Sequence, residues 1–263
     1  MNIDAAGHFV EHLTWDEVGR RLARGTSAIL PVGAAAKEHG FHLPMNTDRV
    51  QAEWLAERLA ARFDALVWPT VSYGYYPAFV DYAGSVSLSE PAFELVIHEI
   101  AAGILGFGCP ALFVLDTGIS TLAPVDRALQ RLANPDALHL KIHDGPRYRR
   151  AAAEIAEQSH GSHADELETS VMLALAPDLV DMARAAASPI LKQPSPGPLT
   201  STDTASPNYS RSGSFGDPTL ATPAKGEILL AAMLDDLTGT MQAFLADRNF
   251  ASGLTRQQRL ISP

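Results

Sequence analysis

Short apolar runs separated by stretches of helical spacing set the architecture of this chain. Ala28 to Val32, Ala65 to Pro69 and Ala111 to Leu115 carry no polar alternation, and Leu138 to His143 is a fourth strand candidate. A strand covered on both faces has this pattern, because neither side meets water. Between the runs the period changes. Thr14-Trp15-Asp16-Glu17 has the spacing of a capping box and starts a helix through about Arg24. Asp48 can cap a second helix, on which Val50, Trp54, Leu55, Leu59 and Ala60 share one face. Ser89 can cap a third, Glu90 to Gly106; further helices are predicted near Pro124 to Leu132 and from about Lys225 to Leu245. Gly84 to Leu88 alternates like an edge segment. Strands alternating with helices predict an α/β chain, three layers (α/β/α) around a mostly parallel sheet, in a single domain over residues 1–263.

One stretch interrupts that order. Ser188 to Ser214 is rich in Pro, Ser, Thr and Gly and has few residues able to pack. It is expected to be a mobile flap or loop that closes over a pocket or packs on a neighbouring subunit. The helical pattern resumes after it, so it is an insertion and not a linker.

Composition narrows the partners. Hydrophobic residues at 46% are ample for a core, while a formal net charge of −10 opposes a nucleic-acid partner, which requires a basic face. No apolar run approaches the roughly 18–20 residues of a membrane span, so no membrane is expected. The N-terminus is acidic where a signal peptide needs basic residues, and a cytoplasmic location is the expectation. Cys109 is the only cysteine, which excludes an intrachain disulfide and a cysteine-built metal site.

Candidate chemistry begins where the first strand ends. The loop from Gly33 to Asp48 carries Lys37, Glu38, His39, His42 and Asp48, at the strand end where open α/β sheets place their ligands. Imidazole with carboxylate is the usual ligand set of Zn, Mn or Fe, and Lys37 could pair with a carboxylate or hold an anionic substrate. The same residues also suit a solvated loop whose histidines cap backbone groups. A second cluster is Ser162 to Ser170. On a helix starting near Asp165, Glu168 lies three, four and seven residues before Val171, Met172 and Leu175, on the apolar face, whereas Glu166 points more towards solvent. An inward carboxylate is paired or bound to a metal. A buried ion pair with His163 as a cap fits as well as a metal site with His163 as proton carrier. The Tyr73 to Tyr76 loop lines a pocket or is a packed turn.

Taken in order, Gly33, Glu38-His39-Gly40, His42-Leu43-Pro44 and Asp48 resemble the first metal-binding segment of the creatininase (creatinine amidohydrolase) family. His163 with Glu168-Thr169-Ser170, and Gly216-Asp217-Pro218 with Ala221-Thr222 and Lys225-Gly226, resemble two later segments. The resemblance spans nearly the whole chain. It implies a metal-dependent amidohydrolase that opens a non-peptide C–N bond of a small, cyclic amide through a metal-activated water. Its cofactor would be a divalent metal, and its form a homo-oligomer, a hexamer by resemblance. Glu38, His39, Asp48 and Glu168 would be the ligands and His163 and Glu166 the catalytic pair. Lys37, His42, Tyr73, Tyr76 and Asp116 would meet the substrate. Two departures stand out. Family members usually carry Glu-x-His with both residues as ligands, and Lys37 occupies that glutamate position. After the third strand they carry Asn-Gly-His-x-x-Asn, where this chain has Asp116-Thr117-Gly118-Ile119-Ser120-Thr121. With Gly118 and Ser120 offering no ligand, one ion is expected to bind tightly and a second weakly or not at all. The competing expectation is a metal-poor relative that binds a small molecule or partner without hydrolysis.

Overall fold

The structure is a computed structural model that describes residues 7–188 and 197–259. Among them a sheet is formed by β1 (Ala28–Val32), β2 (Leu66–Val67), β3 (Leu112–Asp116) and β4 (Ala137–Lys141), in the order β2-β1-β3-β4 with every pair parallel. The apolar runs are strands because both faces are covered. On β1, Ile29 packs with one core cluster while Ala28, Leu30 and Val32 pack with the other; β3 splits Phe113 and Leu115 from Leu112 and Val114 in the same way. Helix α1 (Trp15–Ala23) opens with the predicted box, in which Glu17 accepts the Thr14 amide at 2.8 Å.

One side of the sheet is covered by α2 (Thr47–Phe63) and α7 (Pro223–Arg259), the other by α3 (Glu90–Gly106) and α4 (Leu122–Leu132). Leu55 and Leu59 of α2 meet Leu229, Met233 and Leu237 of α7; Phe93 and Ile97 of α3 face Val125 and Ala128 of α4. This is the expected three-layer α/β/α arrangement. Helices α5 (Pro146–Ile155) and α6 (Glu166–Leu175) complete the α7 side. Pro31 sits in a central strand, where a missing N–H is normally costly. Its carbonyl accepts from Val71, so the missing N–H faces the β2 side, and β2 has already ended at Val67.

Three expectations change, and one segment gains detail. Gly84 to Leu88 forms only an isolated bridge through Ser87 and no strand. Asn46, not Asp48, is the cap residue of α2; Asp48 lies inside the first turn, with its side chain turned to the site. The described part of the Pro/Ser-rich segment, 197–214, is hydrogen-bonded over the cavity, with Gly197, Leu199 and Asn208 in its lining. Leu199 donates to Ala78 at 2.7 Å, Thr200 to Asn208 at 3.1 Å, and the Tyr82 hydroxyl to Ser210 at 2.6 Å. Residues 189–196 of that segment lie outside the described residues. Finally, Pro223–Arg248 is long and apolar enough to cross a membrane by length and composition, although no such run stood out in the sequence. Its Leu229, Leu230, Met233, Leu234 and Met241 are spent on the core.

The order β2-β1-β3-β4 puts a topological switch between β1 and β3. Chains leaving those strands diverge to opposite sides, and the crevice at their carboxyl ends is where such sheets bind ligands. Everything that follows lies there.

Candidate metal centre

The β1 loop re-enters the structure through backbone bonds from Ala35 to Ser72 and from Lys37 to Met45, which fix where its side chains point. His39 Nδ1 lies 2.9 Å from the Lys37 carbonyl. A carbonyl only accepts, so Nδ1 carries the hydrogen, and in the neutral ring Nε2 is bare. That bare nitrogen faces Asp48 Oδ1 at 3.1 Å and Glu168 Oε1 at 3.7 Å, with the His39 side chain fully buried. A lone pair between two carboxylates calls for a cation.

His163 repeats the arrangement from the other direction. Its Nε2 lies 2.8 Å from the Glu38 carbonyl and 3.2 Å from Glu38 Oε2, leaving Nδ1 turned to Glu168 Oε2 at 3.8 Å. The ring packs on Phe79 at 4.3 Å and on His39 at 4.9 Å between centroids. Glu168, at the start of α6, therefore stands between two imidazoles. It is steadied by the Ala164 amide at 2.7 Å and by Gln51 at 3.4 Å. Asp165 caps this helix, accepting from the Leu167 and Glu168 amides at 3.0 Å. Ala164 holds φ at +45°, a left-handed value that is strained for alanine and aims its N–H at Glu168.

His39, His163 and Glu168 each offer a ligand atom within 4.8 Å of the others. Ligands at about 2.0–2.2 Å from one ion stand about 3–4 Å apart, and Glu168 meets the two imidazoles at 3.7 and 3.8 Å. A single divalent ion fits between His39, Glu168 and Asp48 Oδ1, with His163 beside it, and the backbone carbonyls fix both imidazole tautomers as partners behind a metal site do. On the far side of Asp48, Lys37 Nζ lies 2.7 Å from Oδ2.

The charges follow from these contacts. Burial works against ionisation of Asp48, but the Lys37 ammonium outweighs it and holds the carboxyl far below its usual range. Burial likewise opposes the charge on Glu38, and the His163 hydrogen bond overcomes it. Burial pulls His163 down, while the Glu38 bond and charge push it above the ordinary value.

A cavity of about 560 Å³ opens beside this cluster. Lys37, Asp48, His163 and Glu168 line it, with Phe79, Tyr148, His143, Gln51 and Asn208. The sequence reading missed His143, although it follows the carboxyl end of β4 and the strand-end rule that found the first loop applies to it equally. It also missed Gln51, one turn into α2 beyond Asp48. Burial lowers the His143 imidazole.

Several expected roles do not match these positions. Glu38 does not join the ion cluster; its carboxylate accepts the Gly40 amide and holds His163, and a Cβ on Gly213 would run into it. Glu166 does not face solvent. It is fully buried away from the cavity, accepting from the Glu157 and Gln158 amides at 2.9 and 2.7 Å and from Lys225 at 2.5 Å. His42 lies beneath α6, 2.8 Å from Thr169 Oγ1, and burial lowers it to about 4. Tyr73 is 53% exposed and outside the cavity lining. Tyr76 is buried, its ring 5.6 Å from Lys37 Nζ, and burial pushes its hydroxyl pKa up. Asp116 accepts from the Gly118 amide and Thr121 hydroxyl at 2.9 and 2.8 Å, so it closes the β3 loop instead of reaching a ligand.

Buried imidazoles and carboxylates beside a cavity, at the switch point of an open parallel sheet, form a candidate metal centre. The profile of the creatininase family, described as creatinine amidohydrolase, matches residues 11–241. This chain belongs to the creatininase family. It is 29% identical to the creatinine amidohydrolase of Pseudomonas putida over 75% of this chain and 88% of that one. It is also 29% identical to the mycofactocin precursor peptide peptidase of Mycolicibacterium smegmatis over 84% and 86%. A solved structure described as creatininase Mn superposes with a TM-score of 0.78 at 26% identity, covering 90% of this chain and 98% of that chain. A mutant creatininase described as Zn–Zn type gives 0.78 at 24% identity over 89% and 97%.

Proposed function

We propose that this chain hydrolyses a non-peptide C–N bond of a small cyclic amide, using one divalent ion held by His39, Glu168 and Asp48. The observation that carries this reading is the pair of imidazoles whose hydrogens are tied to backbone carbonyls while their free nitrogens converge on Glu168 beside a cavity. Zn, Mn or Fe suits this donor set. When bound, a divalent ion there polarises a carbonyl oxygen and makes water a nucleophile near neutral pH.

The chain's own groups supply the rest. Glu38 holds His163 by carbonyl and carboxylate together, which strengthens the ring's hold on a proton and aims Nδ1 into the cavity. His163 is thereby suited to pass a proton to the leaving nitrogen. Phe79 and Tyr148 form apolar walls that exclude bulk water, and Lys37 brings a positive charge to the floor. Cavities of about 300–1,000 Å³ take small organic ligands, and this one lies in that range. The expected homo-oligomer and cytoplasmic location remain part of the proposal, the first checked by light scattering.

The test is turnover by Mn- or Zn-loaded protein against lactams, cyclic ureas and cyclic guanidines, with short peptides alongside. Hydrolysis of a cyclic amide that disappears in Glu168→Gln is the expected result. Cleavage of peptides alone would move the substrate class towards that named for the mycobacterial relative. A second reading has its own support: Lys37 sits inside the ligand cluster, as it would in a metal-poor protein that only binds. Purified protein without bound metal and without turnover after loading would favour it.

A further inference from the structure

The charge arrangement around Asp48 leads one step further, on the metal-dependent reading just given. In the pattern this loop resembles, the position two residues before His39 is a glutamate ligand, and here it is Lys37. Lys37 is buried, 6% exposed, with its ammonium 2.7 Å from Asp48 Oδ2 and 5.1 Å from the centre of the Phe79 ring. The other oxygen of the same carboxylate faces His39 Nε2 at 3.1 Å. Asp48 thus has an ion position on one side and a fixed positive charge on the other.

The β3 loop offers nothing to hold a second ion. A Cβ on Gly118 would run into Thr121 Oγ1, so the position is closed to a longer side chain as the loop stands. The Ser120 hydroxyl is given to the Tyr75 carbonyl at 2.7 Å. Asp116 is committed to Gly118 and Thr121. Among the described residues, His39, His163 and Glu168 are the only group of three or more His, Cys, Asp or Glu whose ligand atoms lie together, and Asp48 Oδ1 adjoins it 3.1 Å from His39 Nε2.

We propose that Lys37 is a built-in cation in the place of a second metal ion, so that Asp48 bridges one divalent ion and one ammonium. An ammonium is a compact charge with three donors and cannot be lost to a chelator. Asp48 is therefore held in position whether or not metal is bound. The donor directions left free by Asp48 are available to an anionic oxygen of a ligand in the cavity, which Lys37 lines.

The experiment is metal stoichiometry by elemental analysis after dialysis, on wild type, Lys37→Glu and Lys37→Met, each checked for folding by circular dichroism. Wild type is expected to retain about one Mn or Zn per chain. Lys37→Glu sets two carboxylates against each other and is expected to rise to about two. Lys37→Met leaves Asp48 without its partner, and its melting temperature is expected to keep rising as Mn is added beyond the first equivalent. Two ions per wild-type chain would overturn the assignment, as would a folded Lys37→Glu that stays at one. If Lys37→Glu does not fold, a Lys37→Met melting temperature indifferent to the second equivalent overturns it instead. A wild type that binds no ion would overturn the metal-dependent reading as well, whereas two ions would overturn only the role of the lysine.

Discussion

Replacing Glu166 separates structure from chemistry in this site, because the sequence pattern suggests a catalytic carboxylate and the fold gives it a different task. Its side chain is fully buried and accepts the Glu157 and Gln158 amides and the Lys225 ammonium. Lys225, 13% exposed, also reaches Glu157 Oε1 at 2.6 Å and the Leu220 carbonyl at 3.0 Å, so it pins the turn entering α7. Breaking one partner of a buried ion pair leaves the other uncompensated and costs about 3–5 kcal/mol. For a domain of this size that corresponds to a melting temperature lower by about 6–20 °C. Both Glu166→Gln and Lys225→Met should fall in this range by calorimetry. The double variant should be less destabilised than the two losses added together, by about 0.5–3 kcal/mol, since neither charge is then left alone. Turnover per folded, metal-loaded molecule should change little, because the carboxylate does not reach the cavity. A Glu166→Gln protein that melts within about 2 °C of wild type, keeps its metal and loses turnover would refute the reasoning.

Further outcomes follow from the same contacts. His163→Gln should keep its bound ion and lose about 10²–10⁴-fold in kcat, the usual worth of a positioned proton donor; loss of the ion instead would make His163 a ligand. Chelation should lower the melting temperature of wild type, since metal at about 100 times Kd adds about 2.7 kcal/mol, while Glu168→Gln should show no such dependence. A Glu168→Gln protein that responds to chelator like wild type would remove that residue from the ion. His42, lowered by burial to about 4, has no partner at Nδ1 among the described residues. Between its folded value and the ordinary 6.5 the unfolded chain binds the extra proton, so stability falls as pH drops through that window. Urea denaturation should show a loss of about 1–3 kcal/mol between pH of about 7 and about 4. That slope should flatten in His42→Gln, and an unchanged slope would sink the assignment.

The sheet was legible because the apolar runs at Ala28 to Val32 and Ala111 to Leu115 have no alternative use in a water-soluble context: no face of either strand is exposed. The loop after β1 was legible for a related reason, since parallel order sends strand ends to one crevice whatever the substrate. Gly84 to Leu88 failed because alternation signals a half-buried extended segment, and only ladder partners, supplied elsewhere in the chain, turn that into a strand. The Pro/Ser-rich segment was legible as a loop beside the pocket but not in its bonding. Its polar residues could not build an apolar core, but they build a wall by pairing with one another and with Ala78 and Tyr82, a bond pattern that composition does not encode.

Within the site, helical periodicity located Glu168 and misplaced Glu166 through one assumption, that a helix has a single inward face. Helix α6 has the cavity on one side and α7 on another, so two carboxylates two residues apart are both enclosed and meet different partners, His39 with His163 in one case and Lys225 in the other. Glu38 went wrong for a local reason: next to His39 in sequence, its carboxylate turns back to the Gly40 amide and across to His163. It reaches His163, a residue from another segment, and orients that ring in place of binding the ion. The position that departs most from the family pattern, Lys37, ended closest to the centre. A positive side chain among Glu38, Asp48 and Glu168 is what electrostatics requires once one glutamate ligand is gone, because three buried or half-buried carboxylates need more than one cation between them. The proposed divalent ion together with the Lys37 ammonium would meet that requirement, with Asp48 between them.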